Sequence, residues 1–141
     1  MLTMNATEVR KEWSTVIDEV VRERPAFIKR TRDRMFLANM ETVSVLLDQY
    51  HFSATRFKES DGSVTLSLNE IDLIENGKTE EEARHLLAES IMEYATEYYD
   101  NFSVWSSAPN RKPHIPYVLK ALITDDVSVL ERSITCRSGR S

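Results

Sequence analysis

The chain holds one cysteine, three glycines and four prolines among its 141 residues, and each scarcity excludes something. With Cys136 alone, no intramolecular disulfide can form, and a reducing, cytoplasmic compartment is expected. The glycines stand singly at Gly62, Gly77 and Gly139, so there is no Gly-rich loop to cradle a phosphate. His51, His85 and His114 are too scattered to show metal-ligand spacing, and no cofactor is expected. No apolar run reaches the length of a membrane span, so no membrane partner is expected either. The opening "MLTMNATEVR" lacks the basic, apolar and small-residue order of a secretion signal. A catalytic constellation is missing, and the reading is of a protein that is not an enzyme.

What is present is a foldable composition, 41% hydrophobic and 29% charged, enough for one ordinary domain or two small modules. The net charge of −5 is unevenly spread. Residues 1–52 hold 8 basic and 8 acidic side chains, residues 53–102 hold 4 against 12, and residues 103–141 hold 6 against 3. Within this acidic chain, "RERPAFIKRTRDR" at residues 22–34 gathers six Lys/Arg. A solvated face is the ordinary reading of such a run; an external polyanion is the other.

The elements follow from local pattern. "LTM" reads as a short strand. Asn5, three residues before Glu8, has the spacing of a capping box, and a helix over 6–23 is predicted up to the constraint set by Pro25. Val9, Trp13, Val16, Ile17 and Val20 form its apolar stripe. "AFIKR" and "MFLAN", separated by "TRDR", read as a hairpin, followed by a helix over 40–50 capped by Asn39 with Val43, Leu46, Leu47 and Tyr50 inward.

A second module begins near His51. "HFSATRF" and "VTLSL" join across Asp61-Gly62, and a third short strand ends at Asn76-Gly77. Thr79-x-x-Glu82 caps a long helix whose stripe runs Ala83, Leu87, Ile91, Tyr94, Tyr98 and Phe102. Helices over 116–123 and 126–134 follow a loop, and "CRSGRS" is expected to fray. Asp61, Glu70, Asp72 and Glu75 offer carboxylates to a divalent ion if the fold gathers them. Alternation places Glu70 and Asp72 on one strand face, and a solvated edge is the preferred reading.

Taken in order, "MLTMNATEVRKEWSTVIDEVV…RPAFIKR" resembles the opening of the Phd/YefM (prevent-host-death) antitoxins. Asn5, Thr7, Glu8 and Arg10 fall on the family's helix start, Trp13 takes its usual Leu position, and Pro25, Ile28 and Arg30 fit its strand. The resemblance covers about residues 1–50. It implies a β-α-β-β-α module that dimerises and binds operator DNA, with Arg10 as an operator contact and Arg30 carried over beside it. Asn5, Thr7, Lys11, Arg32 and Arg34 complete the expected DNA-binding set. The family's hairpin commonly has Gly where this chain has "TRDR".

Residues 52–102 are similar to the HicB-type antitoxin pattern, in which a hairpin with Asp-Gly leads to a Gly-x-Thr-x-Glu-Glu-Ala signature and a long helix. Gly77, Thr79, Glu81, Glu82 and Ala83 supply that signature here. The combined expectation is an α+β protein with residues 1–50 as a Phd/YefM-like DNA-binding and dimerisation module. Residues 51–141 form an αβ toxin-binding module with a helical C-terminal extension. The resemblance implies a type II antitoxin, a homodimer or higher homo-oligomer with operator DNA and a cognate toxin as partners. Two other readings stand beside it: an oligomeric interaction module without DNA binding, and a metal-dependent nuclease using Asp61, Glu70 and Asp72.

Overall fold

The computed structural model describes residues 3–139. They form a mixed α+β protein whose chain divides between Leu46 and Leu47 into two compact units. Each unit builds its own sheet around its own core.

The first unit runs β1 (Thr3–Asn5), α1 (Ala6–Lys11), α2 (Trp13–Arg22), β2 (Ala26–Arg30), β3 (Asp33–Leu37) and α3 (Met40–Leu46). Its sheet has the order β1-β2-β3, with β1 parallel and β3 antiparallel to the central strand. Leu2 of the expected first strand lies outside the described residues. Asn5 ends β1 and caps α1, its Oδ1 accepting the Thr7 N–H at 2.8 Å.

The single helix expected over 6–23 is two helices. Glu12 leaves helical geometry at φ −106° and ψ 30°, although its N–H still reaches the Glu8 carbonyl at 2.9 Å. Across this bend Val9, Val16 and Val20 close on Ile28 from β2. Trp13 and Ile17, expected in the same core, remain 50% and 38% exposed. Three valines and one isoleucine make a core too small to hold an indole as well.

Arg30 pairs with Asp33 across the hairpin, so the turn is Thr31-Arg32 alone. Thr31 supplies the positive φ, 54°, that the first central residue of such a turn needs. Asn39 caps α3 through Thr42 N–H at 2.8 Å while its amide donates to the Val21 carbonyl at 3.1 Å. The helix ends at Leu46 instead of residue 50, with Leu46 exposed and Leu47 buried.

The second unit runs β4 (Ser53–Lys58), β5 (Val64–Leu68), β6 (Ile74–Gly77), α4 (Glu80–Asp100), α5 (Phe102–Trp105), a 3-10 turn (Lys112–His114), α6 (Ile115–Thr124), α7 (Val127–Ser133) and β7 (Thr135–Ser138). The sheet order is β6-β5-β4-β7. Helix α4 lays Ala83, Leu87, Ile91 and Tyr98 against Ala54, Leu66 and Leu68 of the sheet, and α6 and α7 close the core with Val118, Ala121 and Leu130. Thr79 caps α4 through the Glu82 N–H at 3.1 Å, and the Glu82 carboxylate accepts the Lys78 N–H, also at 3.1 Å. The helix breaks at Asn101, where φ is −120°, and α5 begins at Phe102, but the apolar stripe carries on, Phe102 packing on the core with its ring 5.4 Å from that of Tyr98.

Two expectations in this unit change. The C-terminal "CRS" does not fray. It forms β7, parallel to β4, with the Gly139 N–H on the Arg56 carbonyl at 2.7 Å and the Thr135 N–H on the Phe52 carbonyl at 3.0 Å. An edge strand held mainly by backbone bonds needs little apolar pattern, so its polar residues concealed it. Glu70 and Asp72 sit in the β5–β6 loop, not on a strand face. Asp126 caps α7, with Asp125 in left-handed geometry at φ 48° closing α6.

Candidate functional site

Arg10 and Lys11 occupy the last turn of α1, since the helix ends at Lys11. The expectation that they stand near the start of an eighteen-residue helix is corrected by the bend at Glu12. That end of a helix favours cations on its own account, worth typically 0.3–1 kcal/mol. Both side chains are exposed, and neither makes an ion pair among the described residues.

Around the hairpin the basic residues part company. Arg30 bonds Asp33 Oδ2 at 3.2 Å in a pair about 70% and 67% exposed, worth about 0–1 kcal/mol. Register puts Arg30 on the sheet face of Ile28 and Met35, whereas Lys29 and Arg34 share the opposite face with Phe27 and Phe36. Arg32 is exposed in the turn. The seven residues expected to contact DNA therefore fall on α1, the turn and both sheet faces. Asn5 already spends its Oδ1 on the α1 cap.

The same unit exposes much apolar surface. The Phe27 and Phe36 rings stand 5.2 Å apart, each about half exposed at 46% and 48%. On the helix side a groove of about 450 Å³ runs between Trp13, Val9, Met35 and Phe36. Among the described residues four buried side chains make the core of this unit, with Met4, Ala6, Ala26 and Leu37 packed against them, whereas nine large hydrophobic side chains stay exposed.

In the second unit α4 turns a row of carboxylates to solvent: Glu82, Glu89, Glu93, Glu97 and Asp100 are all exposed. Their spacing follows the helical repeat on the side opposite the buried residues. Only Glu89 has a counter-charge among the described residues, His85 at 3.1 Å. His85 also contacts Glu131 of α7 at 2.6 Å, and that hydrogen bond, more than the nearby Glu89 charge, raises its pKa above the ordinary 6.5.

Beside α4 lies a mixed polar cleft of about 260 Å³ between the β5–β6 loop and the loop preceding α6. Tyr94 Oη and His114 Nδ1 are 2.7 Å apart on its wall, and burial holds the His114 pKa below its usual value. The Arg111 guanidinium lies 3.7 Å over the Trp105 ring. Nothing in the spacing of these residues announced the cleft; loop closure alone assembles it.

The carboxylates considered for a metal do not converge. Asp61 accepts the Ser63 hydroxyl at 2.6 Å and the Ser63 N–H at 2.9 Å in the β4–β5 turn, bonds that lower its pKa. Glu70 accepts the Ser53 N–H at 2.7 Å. Among the described residues no three His, Cys, Asp or Glu gather closely enough to share an ion. No described helix is long and apolar enough to cross a membrane.

Comparison with known proteins gives the family. The PHD_like family, antitoxin of toxin-antitoxin, RelE / RelB, TA system, matches residues 1–135. The chain belongs to this antitoxin family. A crystal structure from Syntrophomonas wolfei subsp. wolfei, described as the antitoxin part of a candidate toxin/antitoxin system, is 36% identical. It covers 99% of this chain and 100% of its own, with a TM-score of 0.92. No curated protein matches the chain. The antitoxin is a non-enzymatic regulatory protein with a toxin as its partner. The family match runs through both units of the antitoxin, including helices α6 and α7, which neither resemblance in the sequence had covered.

Proposed function

We propose that the antitoxin is of type II, a dimeric autorepressor that binds operator DNA through its first unit and neutralises its toxin through its second. The division of labour follows the Phd/YefM-like order of the first unit, strand, two helices, hairpin and helix, and the HicB-like hairpin and capped helix of the second. The observation that carries the DNA half is Arg10, exposed and without an ion pair among the described residues, where internal neutralisation would have required a carboxylate partner. Lys11, Arg32 and Arg34 share that freedom, and Asn5 and Thr7 border Arg10 on α1. Arg30 is the weaker member, already engaged with Asp33.

Dimerisation is supported by the first unit's own deficit. A core of four buried side chains is small for a module of this size, and half-exposed Phe27 and Phe36, adjacent on the sheet face away from the helices, are what a second copy would cover. Toxin binding is supported by the acidic row on α4. Like charges at i,i+4, as at Glu89/Glu93 and Glu93/Glu97, destabilise a helix by about 0.2–0.5 kcal/mol per pair, and a basic toxin surface would reverse that sign.

A gel shift with the DNA immediately upstream of the antitoxin's own gene tests the repressor half. Retardation at low salt that weakens as salt rises is expected; no retardation at low salt removes it. Co-purification with the product of the neighbouring gene tests the toxin half.

The position of Arg10 and Lys11 in the last turn of α1 favours a second reading, an interaction module without DNA binding, because that turn stabilises cations unaided. An oligomer that dissociates as salt rises, with no DNA affinity, would select it.

A further inference from the structure

The cleft beside α4 has a charge balance that the antitoxin itself does not satisfy. Asn69, Glu70 and Asp72 border it from the β5–β6 loop, and Tyr94, Arg111 and His114 from the other side. Glu70 is spent, since its two oxygens take the N–H and hydroxyl of Ser53. The Arg111 guanidinium lies 3.7 Å over the Trp105 ring and is the one positive charge at the cleft among the described residues. Burial keeps His114 uncharged near neutral pH. Asp72 remains, an exposed carboxylate with no hydrogen bond or ion pair among the described residues. It lines the same cleft as Tyr94 and His114. Two carboxylates against one guanidinium leave the cleft short of a positive charge.

We propose that this cleft receives a guanidinium side chain presented by the toxin, paired with Asp72 and lying against the Tyr94 ring. The volume, about 260 Å³, suits one long side chain and not a segment of chain. A cation over an aromatic face is favourable, and Arg111 on Trp105 already uses that geometry next door. A planar guanidinium can also donate both of its parallel N–H groups to the Asp72 carboxylate, whereas the Asn69 amide oxygen already accepts the Thr55 hydroxyl at 3.0 Å. This inference rests on the toxin-binding reading of the second unit and adds the chemistry of one contact to it.

Trp105 stands behind the cleft wall, its ring 5.7 Å from that of Tyr94 and beneath the Arg111 guanidinium, and Trp13 is the antitoxin's other indole. In a Trp13→Phe background, titration with N-acetyl-arginine methylamide should change the Trp105 emission saturably, with a dissociation constant on the order of tens of millimolar, as one exposed ion pair and one cation–π contact supply. The citrulline analogue, of the same shape without the charge, should bind about tenfold more weakly. Asp72→Asn should make the two compounds alike. No saturable change with the arginine compound, an equal response to citrulline, or an unaltered preference in Asp72→Asn overturns the proposal. With the toxin itself, equal affinity for wild-type and Asp72→Asn antitoxin overturns the cleft assignment and leaves the toxin reading intact. If no neighbouring gene product binds the wild type, the toxin reading fails on its own, and the arginine titration still decides the chemistry of the cleft.

Discussion

A Cβ built on Gly77 would stand 2.4 Å from the backbone nitrogen of Ala83, so β6 and the first turn of α4 meet through bare backbone. The Gly-x-Thr-x-Glu-Glu-Ala signature thereby acquires a physical meaning. Gly77 permits the approach, Thr79 caps the helix and Ala83 is small and fully buried at the contact. Gly77→Ala should destabilise the second unit by roughly 1–3 kcal/mol, because the clashing atom is backbone and cannot step aside. Gly62→Ala is the control. There the added methyl group meets nothing, and the loss of about 1 kcal/mol comes from the left-handed φ of 89° alone. Urea unfolding of both variants separates the two causes.

Thr31 should be improvable. A β-branched residue at φ 54° is strained, and the turn between Arg30 and Asp33 asks its first central residue for a positive φ. Thr31→Gly should stabilise the first unit by about 1 kcal/mol, read as a higher melting temperature. An unchanged or lower melting temperature would mean that the hairpin tolerates Thr31 without strain.

Arg10 and its neighbours should separate by kind of contact. Arg10→Ala should cost about 1–3 kcal/mol of operator affinity and relax discrimination at one base pair. Lys11→Ala or Arg32→Ala should weaken all sequences alike and lower the salt slope by about one each. Thermal stability should move by no more than about 1 kcal/mol in each, since these side chains are exposed and Arg10 and Lys11 lose only the favourable position at the helix end. Arg30→Ala should matter less to DNA, as its charge is shared with Asp33.

His85 links α4 to α7 in a pH-dependent way. Its pKa is raised by the Glu131 hydrogen bond first and by the Glu89 and Glu131 charges after, so the folded antitoxin binds the proton more tightly than the unfolded chain. The stabilisation is complete below the ordinary histidine value of 6.5 and is lost as pH rises through the higher folded value. Against His85→Gln, the wild type should therefore gain relative stability on acidification from pH 8 towards pH 6. A difference between the two proteins that does not vary with pH would show that the proton is not involved.

Local chemistry made some elements readable before any coordinates. Asn5 and Thr79 announced two helix starts because a side-chain oxygen three residues from a carboxylate serves orphan N–H groups within one turn. Asp61-Gly62 announced a turn because Gly62 adopts φ 89° without cost from a Cβ. The candidate DNA residues were legible as types and exposures, but their partition between the two faces of β2 and β3 depends on register, which pairs Lys29 with Arg34 and Arg30 with Asp33. The bend at Glu12 carries no proline or glycine to mark it, and it goes with the packing of Val9, Val16 and Val20, from both sides of it, on Ile28.

The sequence by itself determined what short-range forces can encode: helix caps, turns, the apolar stripe of α4 and the segregation of charge along the chain. The tertiary structure alone decided that "TCRS" becomes a fourth strand beside β4, that Glu70 and Asp72 leave the sheet for a loop, and that Tyr94, Arg111 and His114 meet around a cleft. The division has one physical reason. Contacts such as Arg56 Nη2 to Ser138 Oγ at 2.7 Å join residues far apart in the chain, and only closure of the whole core brings them within bonding distance.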